Sequence, residues 1–293
     1  MKIIKNIKSL NQIISTIRKK GDSIGFIPTM GSLHQGHISL LKKSISENNI
    51  TICSIYVNPT QFNNNTDFQK YPRNLKRDED LLININCHIL FLPCDNEMYP
   101  DNQKKKDYNF TPCMHILEGE KRPGHFIGVI TIINKLFTII QPDRAYFGEK
   151  DYQQLWLIKL FVKIFNIAVE IKSCPTIRDQ NGLALSSRNK RLKLKEKKTA
   201  LNLFTTMQNL KNEIKLKRKT HKPHILTTLE LQNLKKTAID KIQKTPFIKL
   251  DYFEIIDVEN FRFAIDIDTN KKYRILVAAY VGKIRLIDNI LID

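Results

Sequence analysis

No stretch of this 293-residue chain stays apolar over the roughly 20 residues that a membrane-spanning helix needs, so no helical membrane span is expected. Cysteine is scarce: Cys53, Cys87, Cys94, Cys113 and Cys174 are odd in number and include no Cys-x-x-Cys pair. Neither a disulfide framework nor a structural zinc site is indicated. Residues 1–10 alternate lysine with isoleucine but lack the sustained apolar core and small-residue cleavage site of a signal peptide. A cytoplasmic protein is therefore expected. Internal repeats are absent as well.

Negative charge is the other shortage. The chain has 48 Lys and Arg against 29 Asp and Glu, a net charge of +19. Residues 185–293 hold 24 basic and 12 acidic side chains, and residues 188–222 alone hold 13 and 2. Such a stripe can be a nucleic-acid footprint. Here no aromatic-rich basic groove accompanies it. Lysine, asparagine and isoleucine are abundant everywhere, including Asn63-Asn64-Asn65 and Lys104-Lys105-Lys106. We read the excess as a solvated surface produced by compositional drift, with no nucleic-acid and no membrane partner.

Apolar runs that read as strands alternate with helical periodicity through the first half. Strands are expected at 24–27, 51–57, 88–92, 144–147 and 168–174, and helices at 38–45, 75–85, 127–140 and 152–165. The alternation predicts an α/β fold: a Rossmann-like, doubly wound parallel sheet over residues 1–184. Beyond it, Ala200, Leu203, Phe204, Met207, Leu210 and Ile214 form a helical stripe, and 225–242 continues in helical style. Strands are expected at 250–258, 273–280 and 284–287, with a tight turn near Val281-Gly282. Residues 185–293 thus read as a smaller α+β domain, with 211–222 as a mobile, solvated connection.

The densest segment is Pro28-Thr29-Met30-Gly31-Ser32-Leu33-His34-Gln35-Gly36-His37, between an expected strand and an expected helix. A chain that breaks at glycine and re-enters as a helix leaves N–H groups unpaired. With the positive end of the helix they make an anion site. His34 and His37 can both face one phosphate, and Gly31 and Gly36 admit a ligand close to the backbone. The plain alternative is a helix cap with a satisfied core histidine. By its pattern the segment resembles the HIGH-type signature of the nucleotidyltransferase superfamily, whose members transfer adenylate from ATP.

Other segments fall at expected strand ends, where open α/β sheets bind ligands. In Gly148-Glu149-Lys150-Asp151-Tyr152-Gln153-Gln154, Gly148 frees the backbone and Lys150 offers a cation for phosphate charge. Asp151 can cap the next helix or accept from ribose hydroxyls, and Gln154 can donate and accept toward a polar substrate. Leu185-Ser186-Ser187-Arg188 offers two hydroxyls and a guanidinium to the β- and γ-phosphates. Asn58 and Gln61, both uncharged, can orient an acid. Taken singly, each segment is also an ordinary capped helix or loop. Asp78, beside Glu79 and Asp80, is a candidate ligand for Mg2+.

Together and in this order, these segments resemble the pantoate–β-alanine ligase family. The likeness continues through Leu117-Glu118-Gly119, Arg122-Pro123-Gly124-His125-Phe126-Ile127-Gly128-Val129 and Gln141-Pro142-Asp143. It extends into Pro175-Thr176-Ile177-Arg178, Leu250-Asp251-Tyr252-Phe253 and Arg285-Leu286-Ile287-Asp288-Asn289. The resemblance implies a two-step reaction. Pantoate attacks the α-phosphorus of Mg-ATP to give pantoyl adenylate and pyrophosphate, and the amine of β-alanine then displaces AMP. By position it implies an ATP site of Met30, Gly31, Ser32, Leu33, His34, Gln35, Gly36, His37, Gly148, Glu149, Lys150, Asp151, Ile177, Leu185, Ser186, Ser187 and Arg188. His37 would be the proton donor, and the two histidines, Lys150 and Arg188 would supply positive charge. Gln61 and Gln154 would hold pantoate, with Gln61 also near β-alanine. The resemblance implies a homodimer formed through the N-terminal domain and a C-terminal domain acting as a lid. Ser32 departs from the Ala or Asn common in the family, and residues 190–222 are unusually lysine-rich, which touches the lid rather than the chemistry.

Rival readings are another adenylyl- or cytidylyltransferase, a relative of class I aminoacyl-tRNA synthetases, and a non-catalytic nucleic-acid-binding protein. Against the synthetases, no Lys-Met-Ser-Lys-Ser-type loop is present. Against the nucleic-acid reading, the polar motifs cluster at strand ends while the lysines scatter.

Overall fold

The computed structural model describes residues 1–100, 108–220 and 225–293. These divide into two compact units, Met1–Ile177 and Arg178–Asp293; the sequence pattern had suggested a junction at 184/185. The lysine run 104–106 lies outside the described residues, as do Lys222 and Pro223.

In the first unit, strands β1 (Lys2–Ile4), β2 (Ile24–Thr29), β3 (Ile50–Ile55), β4 (Ile89–Phe91), β5 (Arg144–Gly148) and β6 (Glu170–Cys174) form one parallel sheet. Their order is β1-β4-β3-β2-β5-β6. From β2 the chain moves outward through β3 and β4, then returns to lay β5 against the other side of β2. The strand order therefore reverses between β2 and β5, the position where parallel sheets open a crevice at their carboxyl ends.

The central strands β2 and β3 are buried on both faces, as in a sheet covered by helices on both sides. The longer helices of this unit are α1 (Ile7–Lys19), α2 (Gln35–Glu47), α3 (Leu75–Asn84), α4 (His125–Ile140) and α5 (Tyr152–Ile164). Ile24, Phe26 and Phe91 pack with Leu10 and Ile14 of α1 and with Ile133 and Phe137 of α4. Ile27 and Cys53 belong to a second cluster with Ile38 and Leu41 of α2 and Leu82 of α3. Full burial of each large side chain contributes about 1.5–3 kcal/mol. These two layers fix the sheet edge that carries the motifs.

The second unit has its own core. Helices α6 (Leu194–Thr220) and α7 (Thr228–Gln243) accompany an antiparallel sheet of β8 (Ile248–Asp257), β10 (Tyr273–Val281) and β11 (Ile284–Ile292), in the order β11-β10-β8. A small ribbon pairs β7 (Ile225–Leu226) with β9 (Ile267–Asp268). Arg178 ties the unit's start to its end: its guanidinium donates to both carboxylate oxygens of Asp288 at 2.6 and 2.8 Å and stacks on Phe204.

Two expectations are corrected here. Residues 211–220 are not a loose connection but the continuation of α6, because Met207, Leu210, Ile214 and Arg218 keep the helical spacing and stay buried. Residues 225 and 226 form a strand, and α7 starts only at Thr228. Its start is set by a reciprocal capping box between Thr227 and Glu230, a Thr-x-x-Glu signal already visible in the sequence. In addition, β11 runs on past the expected 284–287 to Ile292.

Candidate active site

Four adjacent strands, β3, β2, β5 and β6, point their carboxyl ends at one edge of the sheet. The two-histidine loop leaves β2, the Asn58–Gln61 turn follows β3, Lys150 follows β5 and Ile177 follows β6. These four segments are thereby gathered on one edge of the first unit, with the histidines and Lys150 on the two strands that flank the reversal, while Leu185–Arg188 belongs to the second unit.

The loop after β2 has an unusual backbone. Gly31 and Ser32 are consecutive left-handed residues, with φ of 78° and 52°. A non-glycine residue held there costs on the order of 1 kcal/mol or more and persists only where its surroundings fix it. Asp78 of α3 fixes it. Its carboxylate accepts from the Ser32 N–H at 2.7 Å and from the Leu33 N–H at 2.8 Å, and the residue is 1% exposed. Each of those buried N–H groups would lose about 1–3 kcal/mol if left without an acceptor.

At the start of α2 the two histidines cap one another's backbone. The His34 Nδ1 accepts from the Gly36 N–H at 3.1 Å, and the His37 Nδ1 accepts from the His34 N–H at 3.3 Å. Their rings lie 4.1 Å apart, centroid to centroid. A ring nitrogen that accepts cannot carry the proton, so each neutral ring bears its hydrogen on Nε2. This narrows the expected source of the anion site. The N–H groups of Gly31, Ser32, Leu33, His34, Gly36 and His37 are all engaged within the chain. The Gln35 N–H, at the first position of α2, is not in that set, and the imidazole Nε2–H groups are further donors that the loop carries.

The expected positive charge is also corrected at His37. Burial, then the neighbouring His34 and the Lys150 ammonium, push its pKa down from 6.5 to about 3. Near neutral pH His37 is thus an uncharged hydrogen-bond donor in the free protein. Positive charge comes from Lys150, whose side chain is 19% exposed and lies 3.9 Å from the Asp151 carboxylate. Asp151 precedes α5 without capping it.

The turn after β3 shows a division of labour between two amides. Asn58 is spent on structure: it donates to the Gly128 carbonyl at 3.1 Å and accepts from the Tyr99 hydroxyl at 2.8 Å and the Thr60 hydroxyl at 3.0 Å. It is 1% exposed, so in the free protein its amide serves the chain itself. Gln61 is buried too: its amide oxygen accepts from the Asn58 amide at 3.3 Å and its own N–H donates to the Met30 sulfur at 2.9 Å, so it adjoins the loop after β2. Its backbone carbonyl accepts from His125 Nδ1 at 2.9 Å, while His125 Nε2 meets an Arg122 N–H at 3.0 Å. Burial and then Arg122 lower the His125 pKa to about 3, so this ring is neutral too, with its proton on Nδ1. Sequence reasoning did not assign His125 a role. Its signal was the Arg-x-x-His spacing at the start of α4.

On α5, Gln153 is buried and holds the Glu118 N–H and the Cys113 and Ile116 carbonyls, whereas its neighbour Gln154 is half-buried. The adjacent glutamines thus differ in burial. In the second unit, the Ser186 hydroxyl accepts from the Arg188 N–H at 3.2 Å and starts the short helical turn Ser187–Arg191. Arg188 is half-buried.

Asp78 does not fit the metal role considered for it. Both of its oxygens already serve N–H groups in a buried site, Asp80 pairs with Lys76 at the surface, and no group of three His, Cys, Asp or Glu side chains suited to a metal occurs among the described residues. No helix of the described residues is long and apolar enough to cross a membrane.

Comparison with known proteins gives one consistent answer. The model of the Pantoate-beta-alanine ligase family matches residues 2–291. The pantothenate synthetase of Azobacteroides pseudotrichonymphae is 42% identical over 291 residues, 99% of each chain. That of Bacteroides thetaiotaomicron is 40% identical over 99% of this chain and 98% of its own. Among solved structures, pantothenate synthetase from Thermus thermophilus superimposes with a TM-score of 0.88 at 33% identity over 99% of both chains. The Francisella tularensis pantoate-beta-alanine ligase complexed with beta-gamma ATP and beta-alanine gives 0.78 at 39% identity, over 99% of this chain and 97% of that one. Since the match in sequence and in fold runs from end to end, the chain belongs to the pantoate–β-alanine ligase family.

Proposed function

We propose that this protein condenses pantoate with β-alanine, using ATP, through a pantoyl-adenylate intermediate. The observation that carries the reading is the placement of the two histidines and Lys150 on the strands flanking the sheet's reversal, in a chain of this family. A pantoate carboxylate oxygen attacks the α-phosphorus, the bond from that phosphorus to the bridging oxygen breaks, and pyrophosphate leaves. The β-alanine nitrogen then attacks the acyl carbon, AMP leaves with the carbon–oxygen bond pair, and the amine gives up a proton.

Neither step needs a covalent enzyme intermediate, so the residues act by positioning and by matching charge. His34 and His37 donate from Nε2 to phosphate oxygens. Lys150 meets the charge that builds at the α-phosphate. Ser186, Ser187 and Arg188 receive the departing β- and γ-phosphates. Gln61 and Gln154 hold pantoate between uncharged amides, which do not compete electrostatically for the adenylate, and Gln61 also meets β-alanine. Met30, Gly31, Ser32, Leu33, Gln35, Gly36, Gly148, Glu149, Asp151, Ile177 and Leu185 line the nucleotide. Mg2+ arrives with ATP and supplies charge neutralisation on the phosphates.

Pyrophosphate exchange into ATP tests the reading. Exchange should require pantoate. Exchange triggered by an amino acid would move the protein toward the synthetase relatives, and a folded chain with no exchange at all would sink the enzymatic reading. The proposal includes a homodimer formed through residues 1–177 and a cytoplasmic location; sedimentation at micromolar concentration addresses the first. No nucleic acid takes part, so any binding of tRNA or duplex DNA should collapse as salt rises.

A further inference from the structure

We infer that Asp78 is a positioning residue for the nucleotide step, acting through the two-histidine loop, and not a ligand to the metal that accompanies ATP. The inference rests on the reading of that loop as the nucleotide site. Asp78 is far from the loop in sequence, yet both of its oxygens are committed there, to the Ser32 and Leu33 N–H groups at 2.7 and 2.8 Å. It grips the loop where the backbone is left-handed, at Gly31 and Ser32, a conformation that a free chain would leave. The next residue after this grip is His34.

Its own position is rigid. Asp78 stands in the first turns of α3, whose start is capped by the Asn74 side chain on the Arg77 N–H at 3.1 Å. One turn on, Leu82 is fully buried in the same cluster as Leu33, Ile38 and Leu41. Helix α3 and helix α2 thus share a core, and Asp78 is the polar pin between them. A carboxylate suits the task because it is acceptor-only, so both N–H groups can be met at once. An amide of the same size cannot do this, since its NH2 would face one of the two N–H groups.

The deciding variant is Asp78→Asn. It should fold, with far-UV circular dichroism like the parent's. The kcat/KM for ATP in pantoate-dependent exchange should fall about 10- to 100-fold, the range expected when a reacting group is misplaced by roughly an ångström. The KM for pantoate should change less than about twofold, as a loss of positioning at the phosphates alone requires. On a background without either histidine (His34→Ala with His37→Ala) the same change should add little, because the groups it positions are gone. On a Gln154→Ala background it should multiply in full. A merely structural role would multiply on both. In the unaltered protein, the Ser32 and Leu33 amide protons should be protected from hydrogen exchange, which keeps the inference testable even if Asp78→Asn does not fold. Unprotected Ser32 and Leu33 amides, a kcat/KM within twofold of the parent's, or full multiplication on the background without either histidine would each overturn it. A parent protein without pantoate-dependent exchange would overturn the underlying functional reading instead.

Discussion

The loop after β2 in the first unit and the long helix α6 in the second both owe their character to polar side chains, and they use them in opposite ways. In the loop the polar groups are few and are turned inward to hold backbone. Asp78 takes two N–H groups, and His34 and His37 each take one. On α6 the charges are many and face water. Lys211 and Lys215 both reach Asp293, at 2.8 and 2.7 Å, and hold that exposed carboxylate well below its usual range. Lys217 meets Glu230 at 3.5 Å. Exposed pairs of this kind contribute about 0–1 kcal/mol. Arg218, in the same basic run, behaves like the loop: it is 9% exposed and donates to the carbonyls of Asp268, Thr269 and Lys271. Residue type and local density of charge therefore say little about importance. Burial and the identity of the partner decide it.

The strongest response to breaking this contrast is expected at Lys150. Lys150→Ala should leave the fold intact and lower kcat for adenylate formation by about 10²–10³, because the charge is needed as the α-phosphate reacts. Single-turnover kinetics with pantoate and ATP measure this; an unchanged kcat would remove Lys150 from the site.

An intermediate effect concerns pH. His37 and His125 have pKa values lowered from 6.5 to about 3 in the folded chain. Between those values the unfolded chain binds protons that the folded chain refuses. Stability is therefore complete above pH 6.5 and falls as the pH drops toward 3, by about 1.4 kcal/mol per pH unit for each histidine within the window. Urea unfolding at pH 7, 6, 5 and 4 measures the slope. Replacing His125 by Gln should flatten it by about one proton, and an identical slope in the variant would show that His125 titrates normally.

The weakest effects lie inside α6. Arg218→Met should destabilise the second unit by about 1–3 kcal/mol, since three carbonyls lose a shared donor. The double change Lys215→Gln, Lys217→Gln should move stability by less than about 1 kcal/mol and leave both substrate affinities and kcat as they were. Loss of activity in that double variant, or a tRNA complex that resists salt, would show the basic stripe to be functional.

Much of the fold is legible in the chain's local pattern. The parallel sheet follows from alternating apolar runs, and the convergence of the motifs on one edge follows from their places after strands; both hold. The ends of elements are less legible. The basic density of 211–220 resembles a solvated connection because the lysines outnumber the buried Ile214 and Arg218, although it is the spacing of those two that continues α6. The segment 225–226 resembles more helix because its strand partner lies some forty residues further along, in β9, where no local signal reports it.

Within the site the line falls in the same place. The order of residues alone set the chemistry available at the sheet edge: two imidazoles, an ammonium, neutral amides and glycines at strand ends. How that chemistry is used depended on folding. Backbone N–H groups occupy the Nδ1 atoms of both loop imidazoles, which makes them Nε2–H donors. Burial beside Lys150 leaves His37 uncharged. Asn58 became scaffold, and Asp78 went from a candidate metal ligand to the clasp of a left-handed loop. One cause underlies all four outcomes. A side chain's donors, acceptors and charge are fixed by its covalent structure, but which of them remain available depends on neighbours that the chain brings together only by folding.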